Sequence, residues 1–335
     1  MTPMAFARAI AAWYRHQGKS SAEALRLAQI TPRQLANVAS EINARQMETL
    51  CSAAMRELSD EGLGALGRKL PWGSYGMLAR ASMGASDLGT ALRRWCRHHG
   101  LLTEAISLKL ASGSDTATII VDEHDGTGRA ALPSGLRELS LVFVLRNIHG
   151  LACWYIDSRI PLKATRFPFP APRHAPAYTH MFPGATLAFG TTRAEVQFDS
   201  RYLALPLRRD EKALNQMLRQ QSLNIPVLPY RRDRLLGQQV RQLLAVSPSR
   251  TSNAEALATL LKVSARTLHR QLQDEGSSLQ SLKDAVRFEH AQDLLNRTKK
   301  PVKQVAAAAG FRNEKSFIRA FRAWSGKSPG VFRKG

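Results

Sequence analysis

Residues 257–276 read LATLLKVSARTLHRQLQDEG, and residues 302–326 read VKQVAAAAGFRNEKSFIRAFRAWSG. Each stretch begins with a short apolar segment at helical spacing, passes through a tight turn, and ends in a second helical segment rich in cationic and polar side chains. This order is typical of a helix-turn-helix unit, whose second helix enters the major groove of DNA. The last third of the chain is therefore predicted to hold two such units.

The second helix of the first unit has an apolar side and a polar side. Ser264 is a good N-cap for it, because a serine hydroxyl accepts an otherwise unpaired amide hydrogen. Leu268 and Leu272 lie four residues apart and are expected to face the core. The opposite side carries the candidate DNA-binding side chains Arg266, His269, Arg270 and Gln273. In an isolated helix a solvated polar face is the more common interpretation, but the second unit downstream favours DNA binding.

The second unit follows the same plan with an aromatic core. Gly310 suits the left-handed end of its first helix, and Asn313 is the expected N-cap of the next helix. Aromatic residues at spacings of four and three are more often core than a platform for bases, so we interpret Phe317, Phe321 and Trp324 as buried. The candidate DNA-binding side chains of this unit are Glu314, Lys315, Arg319 and Arg322.

A long helix is predicted between the two units. Residues 279–295 carry apolar side chains at helical spacing, and Ser278 is the expected N-cap. A helix of this length spans about 25 Å. Two recognition helices that read successive major-groove segments lie about 34 Å apart, so a strut of this order can hold both units on one side of a duplex.

Residues 253–333 resemble the DNA-binding domain of the AraC/XylS transcriptional regulators. The resemblance rests on the block VSARTLHRQLQDEG, on the segments VAAAAGF and SFIRAFRAWSGKSP, and on Arg287, Ala291, Leu294 and Leu295 of the long helix. It implies a bacterial transcription factor whose base-facing residues are Arg266, His269 and Arg270 in the first unit and Glu314, Lys315 and Arg319 in the second. Two features depart from the family pattern. Lys262 stands where a glycine or small residue is usual, and RNEK at residues 312–315 replaces the commoner run Ser-Asp/Glu-x-Ser.

The charge of the chain agrees with a nucleic-acid partner. The chain has 48 basic and 26 acidic residues, which gives a formal net charge of +22. From residue 234 onwards there are 19 Lys or Arg and 7 Asp or Glu, so this last part alone carries +12. Such a charge supports salt-sensitive DNA binding. By itself it is equally compatible with RNA or with an anionic membrane surface.

The sequence contains no nucleophile elbow, Walker loop, dinucleotide-binding or zinc-protease motif. Its three cysteines, Cys51, Cys96 and Cys153, are far apart and form no CxxC or Cys/His cluster, which argues against a metal site or a disulfide framework and for a reducing cytoplasm. No segment is expected to cross a bilayer, and the N-terminal stretch is interpreted as an amphipathic helix rather than a signal peptide. We therefore expect no enzyme activity, no cofactor and no membrane association.

Residues 1–222 are predicted to form a mixed domain of helices and strands. Helices are expected over residues 4–17, 22–29, 32–38, 44–58, 85–100 and 136–149. Strands are expected over residues 105–111, 116–122, 164–169, 186–189 and 195–198, the first two joined as a hairpin. The segment 168–183, rich in proline and histidine, is expected to be loop. The fold prediction is an α+β sensor domain over residues 1–222, a linker over residues 223–233, and an all-α DNA-binding domain with two helix-turn-helix units over residues 234–335.

The N-terminal part also resembles, more loosely, that of an AraC subfamily that includes ornithine-utilisation-type regulators. The likeness rests on residues 70–103 (LPWGSYGMLARASMGASDLGTALRRWCRHHGLLT), on TRFPFPAP from Thr165 and on FDSRYLALPLRRDE from Phe198. It implies an effector-binding and dimerisation domain. Weak candidates for effector contact are Tyr75, Trp154, Tyr178 and His180, each of which is more often a packing residue. The expected pocket lies between residues 105–122 and 136–149.

Three hypotheses follow for function. The first is a sequence-specific transcriptional activator that responds to a small organic effector, binds promoter DNA as a homodimer and contacts RNA polymerase. The second is an enzyme fused to a DNA-binding module, which would need a nucleophilic cysteine or a metal cluster. The third is an architectural DNA-binding protein without a sensing role. The two distinct units and the large N-terminal domain favour the first.

Overall fold

A computed structural model describes residues 2–37, 40–124, 133, 135–220, 233–246 and 253–334. The chain divides into two compact units, Met1–Arg231 and Arg232–Gly335. The described residues of the first unit form helices and a β-sheet, and those of the second form helices, which confirms the predicted fold class. The expected linker, apart from Asp233, lies outside the described residues.

The N-terminal unit contains two sheets and several layers of helices. Its helices are α1 (Met4–His16), α2 (Ala22–Leu27), α3 (Pro32–Ala36), α4 (Ala44–Glu57), α5 (Ser74–Met83), α6 (Leu88–His99), α7 (Leu136–Ile156), α8 (Tyr178–Met181) and α9 (Glu211–Gln220). Its strands are β1 (Thr2–Pro3), β2 (Glu41–Ile42), β3 (Ile106–Ser112), β4 (Thr116–Glu123), β5 (Leu162–Phe167), β6 (Thr186–Phe189) and β7 (Ala194–Asp199). The sequence analysis did not anticipate α5, which lies in a segment that it used only for family likeness, or α9, which begins at the end of another such segment.

The larger sheet has the strand order β3-β4-β7-β5-β6. The predicted hairpin of β3 and β4 is confirmed, and its turn is closed by the amide of Gly113, which donates to the carbonyl of Thr116 at 2.8 Å. Along β4, Ala117, Ile119 and Val121 are buried and alternate with half-buried residues, so one face of the sheet packs on the core. Helices α6 and α7 contact the sheet.

Helix α7 is longer than predicted. It continues past His149 to Ile156 and measures 21 residues. With a mean hydropathy of 1.4 it is long and apolar enough to cross a membrane, so the expectation that no such segment exists is wrong by length and composition. Within the 18-residue apolar stretch of this helix, 83% is buried inside the protein, as in the core helix of a globular domain. Its apolar character on nearly every side therefore reflects packing against α1, α6 and the sheet.

The proline-rich segment 168–183 is not loop throughout, which corrects the prediction. It contains a 3₁₀ turn at Ala175–Ala177 followed directly by α8. Strands β5 and β6 are parallel, and a parallel pair needs a crossover connection, which this segment supplies. Tyr178 of α8 is fully buried, and its ring lies edge-on to Phe167 and Phe189 at centroid distances of 5.1 and 5.3 Å.

The described residues of the C-terminal unit are organised around two apolar clusters. Its helices are α10 (Leu235–Val246), α11 (Ala254–Leu260), α12 (Ala265–Asp274), α13 (Leu279–Arg297), α14 (Val302–Ala308), α15 (Glu314–Ser325) and α16 (Pro329–Lys334). The first cluster, which we call core A, comprises Val240, Leu244, Leu257, Ala258, Leu268, Leu272 and Leu279. The second, core B, comprises Ala291, Leu295, Val305, Ala306, Ala309, Phe317 and Phe321. Helices α10 and α16 were not predicted, because each lies outside the repeated motif.

Burial of His99 makes the N-terminal unit sensitive to acid. The side chain is fully buried on α6, and neither ring nitrogen has a hydrogen-bond partner among the described residues. Burial without a partner lowers the pKa of His99 to about 4. In the unfolded chain the imidazole takes up its proton near pH 6.5, so this group favours unfolding as the pH falls from about 6.5 towards 4.

We expect the His99→Leu variant to resist acid better than the wild-type protein. Between pH 7 and pH 4.5 the wild type should lose about 2–3 kcal/mol more unfolding free energy than the variant, because only the wild type must keep a buried imidazole neutral. Urea unfolding followed by tryptophan fluorescence measures this difference. Parallel pH profiles for the two proteins would show that His99 is not responsible.

Candidate nucleic-acid interface

Helices α11 and α12 form the first helix-turn-helix unit. The predicted N-cap is confirmed, because the Ser264 hydroxyl accepts a hydrogen bond from the amide of Thr267 at 3.0 Å. The amide of Val263 donates to the carbonyl of Ala258 at 3.0 Å and closes the turn. Leu268 and Leu272 are fully buried in core A. This packing fixes which side of α12 faces outward.

The turn of the first unit shows why a glycine is usual at the position of Lys262. Its backbone has φ of +54°, which lies in the left-handed region. A side chain in this region costs roughly 1–2 kcal/mol relative to right-handed backbone, whereas glycine adopts it freely. The glycine that is usual here therefore meets a backbone requirement, and the lysine side chain itself is exposed.

The outward side of α12 carries the predicted DNA-binding residues. All four are exposed, and none of their side chains has a hydrogen bond or ion pair within the described part of the chain: Arg266, His269, Arg270 and Gln273. Exposed, uncommitted donors next to a buried face have the composition of a recognition helix. The structure therefore brings the predicted residues of the first unit together on one surface.

Helices α14 and α15 form the second unit. The side chain of Asn313 accepts a hydrogen bond from the amide of Ser316 at 2.8 Å, which confirms the predicted cap. Gly310 ends α14 with φ of +78°, as expected for a left-handed C-terminal position. Phe317 and Phe321 are fully buried as predicted, whereas Trp324 is only half-buried, so the prediction of a buried stripe is confirmed for two of its three residues. Phe311 lies edge-on to Phe317, with their ring centroids 5.4 Å apart.

The predicted contact residues of the second unit differ in exposure. Lys315, Arg319 and Arg322 are exposed, and Glu314 is half-buried in the first turn of α15. The acidic side chain lies near the positive end of the helix dipole, which stabilises it there. Three cationic side chains are thus available to a polyanion, and Glu314 is the one acidic group among the four candidates.

Helix α13 connects the two units and belongs to both of their cores. Leu279 lies in core A, and Ala291 and Leu295 lie in core B. The helix has 19 residues, two more at its C-terminal end than predicted, and spans about 28 Å. Arg287 of α13 lies over the ring of Phe311, with its guanidinium carbon 5.4 Å from the ring centroid. Because both cores share one rigid helix, neither unit can shift without disturbing it.

Glu275 is a structural residue that the sequence analysis missed. It follows α12 directly, is buried, and accepts hydrogen bonds from the amide of Gly237 on α10 at 3.0 and 3.2 Å. A Cβ atom at position 237 would come within 2.4 Å of the carboxylate, so any residue other than glycine would displace the Glu275 side chain from this contact. Burial raises the pKa of Glu275 to about 7, and the two amide contacts partly oppose this rise. No local pattern predicts it, because its partner is 38 residues away.

The four effector candidates do not meet in one place. Tyr75 is buried and stacks on Trp95, with ring centroids 5.9 Å apart. Trp154 is buried beneath the guanidinium of Arg209, which lies 5.6 Å from its ring centroid. The hydroxyl of buried Tyr178 donates to Glu138 at 2.6 Å, and His180 is exposed on α8. Three of the four therefore have packing partners that account for their positions.

Two cavities lie beside α7, and in both of them the wall that faces α7 is not the β3–β4 hairpin that the sequence analysis expected. One is bounded by α1 and α4, and the other by Tyr75 and residues 61–66. The expected pocket placed the β3–β4 hairpin opposite α7, whereas neither of these cavities is lined by residues of the hairpin. Of the four effector candidates, Tyr75 lines one of them.

The described residues contain no group of three or more His, Cys, Asp or Glu side chains placed to hold a metal ion. Cys51, Cys96 and Cys153 are buried and unbridged. Burial raises the pKa of the Cys51 and Cys96 thiols to about 12, which keeps both protonated and unreactive near neutral pH. This environment is the opposite of what a catalytic cysteine needs.

Known protein families match both the N-terminal and the C-terminal unit of the chain. A family model described as the arabinose-binding domain of AraC transcription regulator, N-terminal, matches residues 18–207, and a helix-turn-helix domain model matches residues 257–335. The chain is 26% identical over 335 residues to the ornithine utilization regulator of Pseudomonas aeruginosa, covering 100% of this chain and 96% of that protein.

Two further relatives come from the same organism. The HTH-type transcriptional regulator VqsM is 33% identical over 98 residues, or 29% of this chain and 30% of that protein. The crystal structure of the transcriptional regulator CdpR aligns with a TM-score of 0.37 and 25% identity, covering 94% of this chain and 96% of that one.

The buried carboxyl of Glu275 makes the C-terminal unit less stable at alkaline than at mildly acidic pH. An unfolded glutamate ionises near pH 4.5, so a folded pKa of about 7 means that stability falls as the pH rises between these values. The Glu275→Gln variant should lack this loss. Between pH 5 and pH 8 the wild type should therefore lose about 2 kcal/mol more unfolding free energy than the variant. Hydrogen exchange of the α10 and α12 amides measures it.

The matched control is Glu255→Gln, since that carboxylate on α11 is exposed and forms no ion pair among the described residues. Its pH profile should follow the wild type. If Glu275→Gln does so as well, the carboxyl is ionised in the folded protein at no cost, and our account of its burial is wrong.

Proposed function

Because this chain belongs to the AraC family of transcriptional regulators, whose members are DNA-binding proteins and not enzymes, we propose that it is a sequence-specific activator controlled by a small organic effector. The observation that carries the proposal is the pair of helix-turn-helix units built on one helix. Each unit has its own apolar core and presents exposed cationic side chains on its second helix.

We assign base reading to the first unit chiefly through Arg266 and Arg270. An arginine guanidinium pairs with the two acceptors of guanine in the major groove and distinguishes it from other bases. His269 and Gln273 flank them on the same exposed surface of α12. In the second unit we assign the contacts to Lys315, Arg319 and Arg322, with Glu314 positioned to accept from a cytosine amino group.

We place effector binding and dimerisation in residues 1–222, with residues 223–233 as the linker and residues 234–335 as the DNA-binding domain. The match of residues 18–207 to an arabinose-binding domain supports a small-molecule effector. Dimerisation is supported by the length of DNA that must be recognised. One subunit covers only two major-groove segments, and a dimer doubles the recognised site. An effector changes DNA binding only if it binds one arrangement of the domains better than another.

As an activator, the protein would act in the bacterial cytoplasm on promoter DNA, next to RNA polymerase. The three cysteines, unbridged and buried, are consistent with a reducing compartment. An architectural role is the alternative. A footprint separates the two, because an architectural protein protects long stretches of DNA and a regulator protects a discrete site.

Substitutions on α12 test the assignment of the reading surface. Arg266→Ala and Arg270→Ala should each weaken binding to the target site by about 1–3 kcal/mol and relax the preference for particular bases. Lys299→Ala and Lys300→Ala, in the exposed segment before α14, are the controls. They should weaken binding to all sequences alike and reduce its salt dependence, because we assign them to phosphate or solvent.

Fluorescence anisotropy on specific and scrambled duplexes over a range of salt concentrations measures both effects. If the arginine and lysine variants relax specificity equally, the reading surface is wrongly assigned. If the wild-type protein shows no preference between the duplexes, the proposal of sequence-specific regulation fails.

The dimer proposal is tested by analytical ultracentrifugation of the intact chain and of residues 1–222. We expect both to sediment as dimers, or to dimerise on the target DNA, because the N-terminal domain is assigned the contact. Monomers of both species, with and without target DNA at promoter-relevant concentrations, would contradict this assignment.

A further inference from the structure

A cavity in the N-terminal unit combines apolar walls with two ionisable side chains, each of which has a buried atom without a hydrogen-bond partner among the described residues. It lies between α1, α4 and α7, is partly open to solvent, and has about 510 Å³ of empty space when the solvent at its opening is counted. The apolar walls come mainly from Phe6, Met47, Leu139, Val142 and Phe143. A concave, largely apolar space with a few polar groups is the usual form of a small-molecule site.

The guanidinium of Arg146 is the main polar group of this cavity. Its Nε atom is shielded from solvent and has no hydrogen-bond partner. Within the described residues the side chain forms no ion pair, and burial lowers its pKa to about 10. Arg146 is half-buried, and no carboxylate among the described residues pairs with it, so its charge is incompletely compensated, which is costly.

Glu48 lies on the opposite wall, on α4. Its Oε1 atom is also buried without a partner, and burial raises the pKa of the carboxyl, while nearby Arg45 opposes the rise. The side chains of Glu48 and Arg146 form no salt bridge with each other, although both line the same cavity. The protein thus holds a cation that lacks an anion, and it places a carboxyl where a second anionic group of a ligand would be repelled.

We propose that this cavity binds the effector and that the effector is a small organic monocarboxylate with an apolar body. The carboxylate pairs with Arg146, whose fork of donors matches two carboxylate oxygens. The hydrocarbon part contacts Phe6, Val142 and Phe143, and Glu48 selects against a second carboxylate. This inference rests on the proposed function, because it names the chemical class of the effector invoked there.

A phosphate or a sugar fits the cavity less well. Phosphate sites gather several cationic donors around the dianion, whereas this cavity offers one arginine, two neutral side chains (Thr2 and Asn147) and the opposing carboxyl of Glu48. A sugar needs hydrogen-bonding groups on most of its edges, and here most of the wall is hydrocarbon. The charge and the lining together favour a monocarboxylate.

The probes are sodium hexanoate, hexan-1-ol and disodium adipate, titrated into the intact chain by isothermal titration calorimetry. Hexanol has the same apolar body without the charge, and adipate adds a second carboxylate at the far end. We expect hexanoate to saturate one site per chain, with at least tenfold weaker binding for each of the other two. Equal affinities for hexanoate and hexanol, or no saturable binding of hexanoate, would overturn the proposal.

Three variants locate the site. Arg146→Met keeps the volume and removes the charge, so it should weaken hexanoate binding at least tenfold and leave hexanol unchanged. Glu48→Gln should reduce the difference in binding affinity between hexanoate and adipate. Arg137→Met is the control, because Arg137 lies on the same helix outside the cavity and pairs with Glu123 at 2.6 Å. Retention of hexanoate affinity by Arg146→Met would overturn the assignment.

Two further measurements separate a ligand-binding role from a structural one. The ligand-free Arg146→Met protein should melt at the same or a higher temperature than the wild type, since it no longer buries an unpaired charge. A lower melting temperature together with unchanged hexanoate binding would show a structural role. DNA binding without ligand, measured by anisotropy, should be the same in both proteins. Specific DNA binding by a wild type that does not bind hexanoate refutes this inference and leaves the proposed function standing.

Discussion

Helix α13 is the element on which the DNA-binding unit depends. Its N-terminal end supplies Leu279 to core A, and its C-terminal half supplies Ala291 and Leu295 to core B. An α-helix is stiff over this length, so the two cores are held at a separation set by the rise per residue rather than by a flexible joint. The orientation of α12 and α15 follows from that constraint, because each is fixed by burial of its apolar side in one of the two cores.

The polar contacts of the C-terminal unit reinforce the same frame. Glu275 links the end of α12 to the start of α10, and Arg287 on α13 covers the ring of Phe311. Both contacts connect elements that are distant in sequence. A recognition helix with several independent attachments presents its donors in a nearly fixed geometry, and hydrogen-bond readout of bases requires such a geometry.

The N-terminal unit is organised around α7 instead. This helix is buried on most sides, packs on the sheet and lines two cavities. A core helix that also lines a binding site couples the site to the packing of the whole domain, because interiors are dense and do not deform continuously. Occupation of a cavity beside α7 would therefore alter the packing of the N-terminal unit beyond the cavity itself.

The sequence by itself determined the two helix-turn-helix units and the exposed residues of their second helices. Their signals are local: Ser264, Ser278 and Asn313 cap helices through amides three residues away, and the apolar stripes repeat within a few turns. The tertiary structure alone decided the crossover helix α8, the full length of α7, the buried link from Glu275 to Gly237 and the unpaired state of Arg146. Each depends on partners far away in the chain, and a single sequence carries no local pattern that specifies which distant groups will meet or be left without one.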